Sequence, residues 1–172
     1  MDGDLRRPTL HKIFHVDNEV GLSELLRGAV SLDTVAQPLS EGFSLVPSGE
    51  LPRDPQELFL SARFVRTLAE MERVFDLVIL DSPPVLAVAD AALIASHVNS
   101  VVLVLKYGDT SVMEVLRAKE RLQQGASTRI IGCVVNQFDG GTSQAYDPYV
   151  TSYTSVQDLT KVGRWKGSIL GR

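Results

Sequence analysis

Asp2, Asp4 and Arg6 recur at alternate positions in the opening run Met1-Asp2-Gly3-Asp4-Leu5-Arg6-Arg7-Pro8. In an extended segment alternate side chains leave the same side of the backbone, so two carboxylates and a guanidinium would face one site. Such a group suits a magnesium nucleotide. Mg²⁺ takes a few carboxylates together with phosphate oxygens and waters, and a fixed arginine balances the phosphate charge. The plainer reading is an exposed, charged amino terminus. A second acidic position is Asp81, which ends Leu77-Val78-Ile79-Leu80 and precedes Ser82-Pro83-Pro84. A carboxylate at the carboxyl end of a buried strand stands where open α/β sheets bind ligands and where phosphoryl-transfer sites keep a magnesium ligand. An Asp that caps the following turn is the alternative. A third position, Val134-Val135-Asn136, ends an apolar run with an amide able to read a purine edge. If their segments are neighbouring parallel strands, Asp2, Asp4 and Asp81 converge on one magnesium ion, and Met1 is the last residue of a strand.

The elements that must position these residues are legible as alternating patterns. Leu77 to Leu80, Val101 to Leu105 and Ile130 to Val135 are short apolar runs rich in β-branched residues, the pattern of strands buried on both faces. Helical patterns from Asp90 to about His97 and from Ser111 to about Gln124 separate them. The resulting β-α-β-α-β order predicts an α/β fold with a mostly parallel sheet flanked by helices. Phe43 to Val46 reads as a further strand, and Gly21 to Arg27 as a short helix closed by Gly28. The best-marked helix starts at Asp54, with Pro55 at its first position and Glu57 three residues after the cap. Its expected apolar stripe is Leu58, Ala62, Val65, Leu68 and Ala69.

With 172 residues, 44% of them hydrophobic and 22% charged, the chain has room for one domain with a real core. The net charge of -4 argues against nucleic acid as a partner, since such surfaces carry a basic excess. Cys133 is the single cysteine, so no internal disulfide forms. Its apolar neighbours predict a small buried side chain in a reducing compartment. No apolar run approaches the roughly 18 residues that span a bilayer, and a cytoplasmic location is expected. From about Phe138 the composition turns to Gly, Pro, Ser, Thr and Tyr, which predicts a domain over 1–138 and a flexible tail over 139–172. The last stretch sets Lys161, Arg164, Lys166 and Arg172 around Trp165, which reads as a solvated basic terminus.

Taken together, these motifs make the chain resemble the cytoplasmic domain of the bacterial tyrosine autokinases of capsule and exopolysaccharide export. These BY-kinases are relatives of the MinD/ParA group of deviant P-loop ATPases. The resemblance runs from Met1 to about Tyr153. Asp2-Gly3-Asp4-Leu5-Arg6 resembles the family's Walker A′ motif, and Phe75-Asp76-Leu77-Val78-Ile79-Leu80-Asp81-Ser82-Pro83-Pro84 its Walker B motif. The Gly-Leu-Ser-Glu helix of Gly21 to Gly28 and the Pro-x-Glu-Leu start of Pro55 to Leu58 fit as well. The resemblance implies a P-loop NTPase-like fold and transfer of the ATP γ-phosphate to tyrosines of a carboxy-terminal cluster, commonly on a neighbouring subunit of a ring. It implies Asp2 as base toward the tyrosine hydroxyl, and Asp4 and Asp81 holding Mg²⁺ through its waters. Arg6, Asp81 and Asn136 would lie on the ATP side, and Tyr146, Tyr149 and Tyr153 would be the acceptors. The implied partners are a membrane polysaccharide copolymerase or activator, which would hold the protein at the inner face of the membrane, and further copies of the complete chain.

The family's phosphate loop, Gly-x-x-x-x-Gly-Lys-Ser/Thr, has no counterpart among these 172 residues. Its backbone cradle, lysine and hydroxyl ligand carry much of the nucleotide affinity, at ~1.5–3 kcal/mol for each charge-assisted hydrogen bond. The chain by itself is therefore expected neither to bind ATP tightly nor to catalyse transfer. Without the first β-P-loop-α unit, a sheet face and an edge are expected to be uncovered. Two readings follow: the carboxy-terminal part of a real kinase, or a non-catalytic interaction and substrate module of the export complex. A partitioning ATPase of the MinD/ParA kind is a third, which Arg6-Arg7-Pro8 and the tyrosines argue against.

Overall fold

Glycine, proline and hydroxyl caps cut the first half of the chain into short helices. The computed structural model describes residues 1–124 and 128–138. The chain divides into two units, Met1–Asn136 and Gln137–Arg172; the account below concerns the first. Tyr146, Tyr149, Tyr153 and the basic stretch around Trp165 lie outside the described residues. In chain order the elements are α1 (Leu10–Ile13), α2 (Leu22–Arg27), α3 (Leu32–Val35), β1 (Gln37–Ser40), β2 (Phe43–Leu45), α4 (Pro55–Leu60), α5 (Ala62–Val74), α6 (Asp90–Ala95), β3 (Val101–Lys106), α7 (Val112–Gln123) and β4 (Ile130–Asn136).

The local signals explain where helices begin and end. Gly28 closes α2 in the left-handed region, φ 81°, which its missing Cβ permits. Asp54 caps α4 through Gln56 N, with Pro55 at the first helical position. Ser111 and Glu114 form a reciprocal capping box on α7. The single helix expected after Asp54 is in fact two, because Ser61 ends α4 and caps α5. Its hydroxyl donates to Leu58 O at 2.7 Å and accepts from Phe64 N at 3.2 Å. This break rotates the buried face away from the expected stripe. Phe64, Thr67, Leu68 and Met71 are buried on α5, while Ala62, Val65 and Ala69 face out.

The hydrophobic core lies among these helices. Leu22, Leu25, Leu26, Leu32, Val35, Phe59, Phe64, Leu68, Met71 and Ile94 form one cluster, which also takes in Leu5 from the acidic opening run. Phe64 sits edge to face with both Phe59 and His97, at ring distances of 5.2 and 5.7 Å.

Strands are fewer and less buried than their composition predicts. β3 and β4 pair in parallel, joined by the crossover through α7, and β1 and β2 form an antiparallel hairpin. Leu77 to Leu80 is extended chain rather than a regular strand, and its pairing reaches only the bridge between Asp81 and Asp2. Nor are the apolar runs buried on both faces. Val78 and Leu80 pack on the core, whereas Leu77 and Ile79 are 76% and 69% exposed. Val102 and Val104 of β3 also face solvent, as does nearly all of β4. Cys133 is consequently exposed, not the buried side chain expected. An apolar run has no polar residues to mark its solvent face, so its sequence cannot show whether a second layer covers it. Among the described residues no helix is long and apolar enough to cross a membrane.

Phe64→Ala should be the most telling core substitution. We expect a loss of about 3–5 kcal/mol, as for other buried aromatic truncations, read as a lower midpoint in chemical denaturation monitored by circular dichroism.

Candidate active site

The opening run and the Asp81 segment meet side by side. Met1 N donates to Ile79 O at 2.8 Å, Asp81 N to Met1 O at 3.0 Å, and Gly3 N to Asp81 O at 2.9 Å. These bonds follow the alternation of a parallel pair, so the two acidic motifs lie on neighbouring parallel segments, as the sequence suggests. On its other side, Asp2 N donates to Val46 O at 2.9 Å, just beyond the end of β2. Gly3 is required in this position, because a Cβ there would stand 2.5 Å from Asp81 O.

After Asp2 the chain turns instead of staying extended, which corrects the alternating geometry expected for Asp2, Asp4 and Arg6. The cause is the carboxylates themselves, which capture nearby backbone donors. Asp2 accepts from Asp4 N through Oδ1 at 3.2 Å and from Leu10 N through Oδ2 at 3.1 Å. Asp4 Oδ1 accepts from Arg6 N at 3.1 Å and Arg7 N at 2.9 Å. Both bonds fall on one oxygen, so Oδ2 is left outside this turn. Leu5, between the two charged residues, is buried in the core and pins the loop from below.

Each expected site residue can now be placed. Asp2 is fully buried, with both oxygens committed to backbone N–H groups. Asp4 is half-buried and Asp81 more open. Burial raises the Asp81 carboxyl above its ordinary value near 3.8, and the charges of Asp2 and Asp4 raise it further, against the opposing hydrogen bond from Ser82 N–H. Arg6 is engaged by Asp90. Its Nε and Nη2 grip Asp90 Oδ2 and Oδ1 at 2.7 and 3.0 Å. This bidentate hydrogen bonding raises the guanidinium pKa still further. Asn136 ends β4 in register with Lys106, in a separate sheet from the Asp2 and Asp81 bridge, and its carbonyl accepts from Tyr107 N at 2.9 Å. Sequence reasoning missed Asp90. It reads there only as the first residue of a helix, although a buried acid demands a cationic partner and Arg6 was available.

This donor set fits Mg²⁺ in one respect that the structure itself shows. Asp4 and Asp81 are hard oxygen donors whose mutual repulsion a divalent cation would relieve. Among the described residues no three acidic, His or Cys side chains stand close enough to hold an ion unaided. Magnesium commonly completes its shell with waters and substrate phosphates, so one or two carboxylates suffice.

The chain is similar to known proteins over most of its length. No protein-family profile matches the chain. It is 39% identical over 147 residues to the tyrosine-protein kinase etk of Escherichia coli K12, covering 85% of this chain and 20% of that protein. To the tyrosine-protein kinase YwqD of Bacillus subtilis it is 36% identical over 159 residues, covering 91% of this chain and 66% of that one. The solved kinase domain of E. coli ETK superposes with a TM-score of 0.78 at 39% identity, over 85% of this chain and 57% of that domain. The VpsO kinase domain gives 0.74 at 31% identity, over 80% and 68%. The chain thus spans about a fifth of the length of the E. coli relative.

The raised Asp81 carboxyl has a definite consequence for stability. Because its folded pKa lies above the unfolded value, the folded state binds the extra proton, and the associated stability is lost as pH rises from about 3.8 through the folded pKa. Asp81→Asn should therefore melt higher than the parent at neutral pH, with the gap closing as pH falls through that window. Thermal denaturation across pH 3–8 checks this.

Proposed function

Because this chain belongs to the bacterial tyrosine-protein kinase family, we propose that it is the carboxy-terminal part of a protein-tyrosine autokinase of capsule or exopolysaccharide export. The observation that carries the reading is the pairing of Asp2 with Asp81, which sets the Asp-x-Asp-x-Arg loop beside the aspartate that ends the Leu77 to Leu80 run. Phosphoryl transfer asks mainly for positioning and charge neutralisation, and this pairing supplies the acidic part of that apparatus.

In this proposal Asp4 and Asp81 hold Mg²⁺ through its waters. Mg²⁺-ATP, when bound, supplies the phosphoryl group and the charge that offsets the carboxylates. Asp2 stabilises the loop through Asp4 N and Leu10 N. Its role as base toward a tyrosine hydroxyl requires that the Leu10 N–H release Oδ2, since the carboxylate is otherwise enclosed. Asn136 contributes to the nucleotide base side. Arg6 reaches the nucleotide only by leaving Asp90. Tyr146, Tyr149 and Tyr153 are the proposed acceptors. The phosphate cradle comes from residues outside this sequence, and the site works with them at the inner face of the membrane, alongside a polysaccharide copolymerase or activator and further copies of the chain.

The test is the intact mass of the protein purified from its own cells, before and after phosphatase, with the phosphate mapped by peptide sequencing. The reading expects a dephosphorylated mass well above 18.8 kDa and phosphate on Tyr146, Tyr149 or Tyr153. A mass of 18.8 kDa with phosphate on those tyrosines would instead favour the substrate module, and 18.8 kDa without phosphate would remove both.

A further inference from the structure

Two independent ties join the opening run to the segment from Ile79 to Asp90. One is the backbone hydrogen bonding of Met1 and Gly3 with Ile79 and Asp81. The other is the side-chain grip of Arg6 on Asp90, 84 residues away in sequence. Asp4 lies between the two ties on the first segment, and its Oδ1 is held by the N–H groups of Arg6 and Arg7. Asp81 belongs to the second segment, nine residues before Asp90. The circuit therefore runs from Asp4 through Arg6 to Asp90, back along the chain to Asp81, and across the backbone bridge to Asp2.

We infer that Asp90 is a positioning residue for the acidic site, acting through Arg6 to fix the Asp4 carboxylate at a set distance from Asp81. Asp90 is fully buried while the Arg6 side chain is 36% exposed. Among the described residues Arg6 is the one cation that hydrogen-bonds this carboxylate, so the buried charge depends on it. The two-toothed geometry matters because a single bond would let the guanidinium pivot, whereas two parallel bonds hold it in one orientation and so tether the loop that carries it. An ion pair that served only to fill the core would not need to start from a residue whose own N–H caps the neighbouring acid. The inference rests on the proposed metal role of Asp4 and Asp81.

The test uses the full chain and Mn²⁺ as the probe, with free ion counted by electron paramagnetic resonance well below the melting temperature. Parent, D90N, R6K, D4N and D81N are compared, with amide hydrogen exchange of residues 4–7 as a second readout. D4N and D81N should lose most Mn²⁺ binding. D90N should weaken it about tenfold, the usual scale for removing a group that orients a metal ligand, and should speed exchange at Arg6 and Arg7. R6K keeps a charge against Asp90 but gives up the fork, and should fall between parent and D90N. Should D90N fail to fold, R6K is the deciding variant. Full Mn²⁺ affinity in a folded D90N or in R6K, with D81N impaired, would overturn the positioning role and leave the metal reading intact. Full affinity in D4N and D81N, or no Mn²⁺ bound by the parent, would overturn the metal reading and the positioning role with it.

Discussion

The narrow lateral contact between Gly3 and Asp81 is the constraint on which the acidic site depends. Two segments almost eighty residues apart are joined by three backbone hydrogen bonds, and one of them comes from a glycine with no room for a side chain. That closeness sets Asp2 and Asp4 where their charges act on Asp81. Like charges brought together in partial burial work against folding, so the arrangement needs compensation nearby. It comes from the backbone donors on Asp2 and Asp4, from the burial of Leu5, and from the Arg6 and Asp90 pair. In the proposed function a cation held by Asp4 and Asp81 would offset this repulsion.

Stability and chemistry are divided between different parts of the first unit. The core is made by short helices, with Phe59, Phe64, Leu68 and Met71 facing Leu22, Leu25 and Leu32. The acidic loop borrows from it through Leu5, and the Asp81 segment through Val78 and Leu80. The loop is thus held on rigid elements without being part of the core, which permits charged groups at its surface. The β3 and β4 pair contributes less burial, and its outward residues Val102, Val104 and Val134 leave an apolar face open.

Similarity to the ETK and VpsO kinase domains extends over most of this chain and somewhat more than half of each domain. The overlap shows a common fold over that stretch. The activity of a complete kinase draws on more residues than that stretch, and so it stands here as a proposal grounded in the acidic site.

Much of this was legible in the residues alone. Caps and prolines located α2, α4 and α7, because those signals act within one turn and need no distant partner. The candidate carboxylates Asp2, Asp4 and Asp81 could be named from their spacing and their place at the end of an apolar run. Other features depended on contacts far apart in sequence. The break at Ser61 shifted the buried face of α5, since a hydroxyl can cap a helix as readily as it can sit within one. Cys133 and the strands around it turned outward, since hydrophobicity records a preference for burial and not the presence of a cover. Arg6 pairs with Asp90, a partner that the sequence did not reveal, because a buried carboxylate competes for a guanidinium more strongly than solvent does. The sequence by itself thus determined which residues carry charge, where α2, α4 and α7 start and which family the chain resembles, all properties of short windows. Only the tertiary structure decided which charges face one another, because that pairing is set by the register of segments some eighty residues apart.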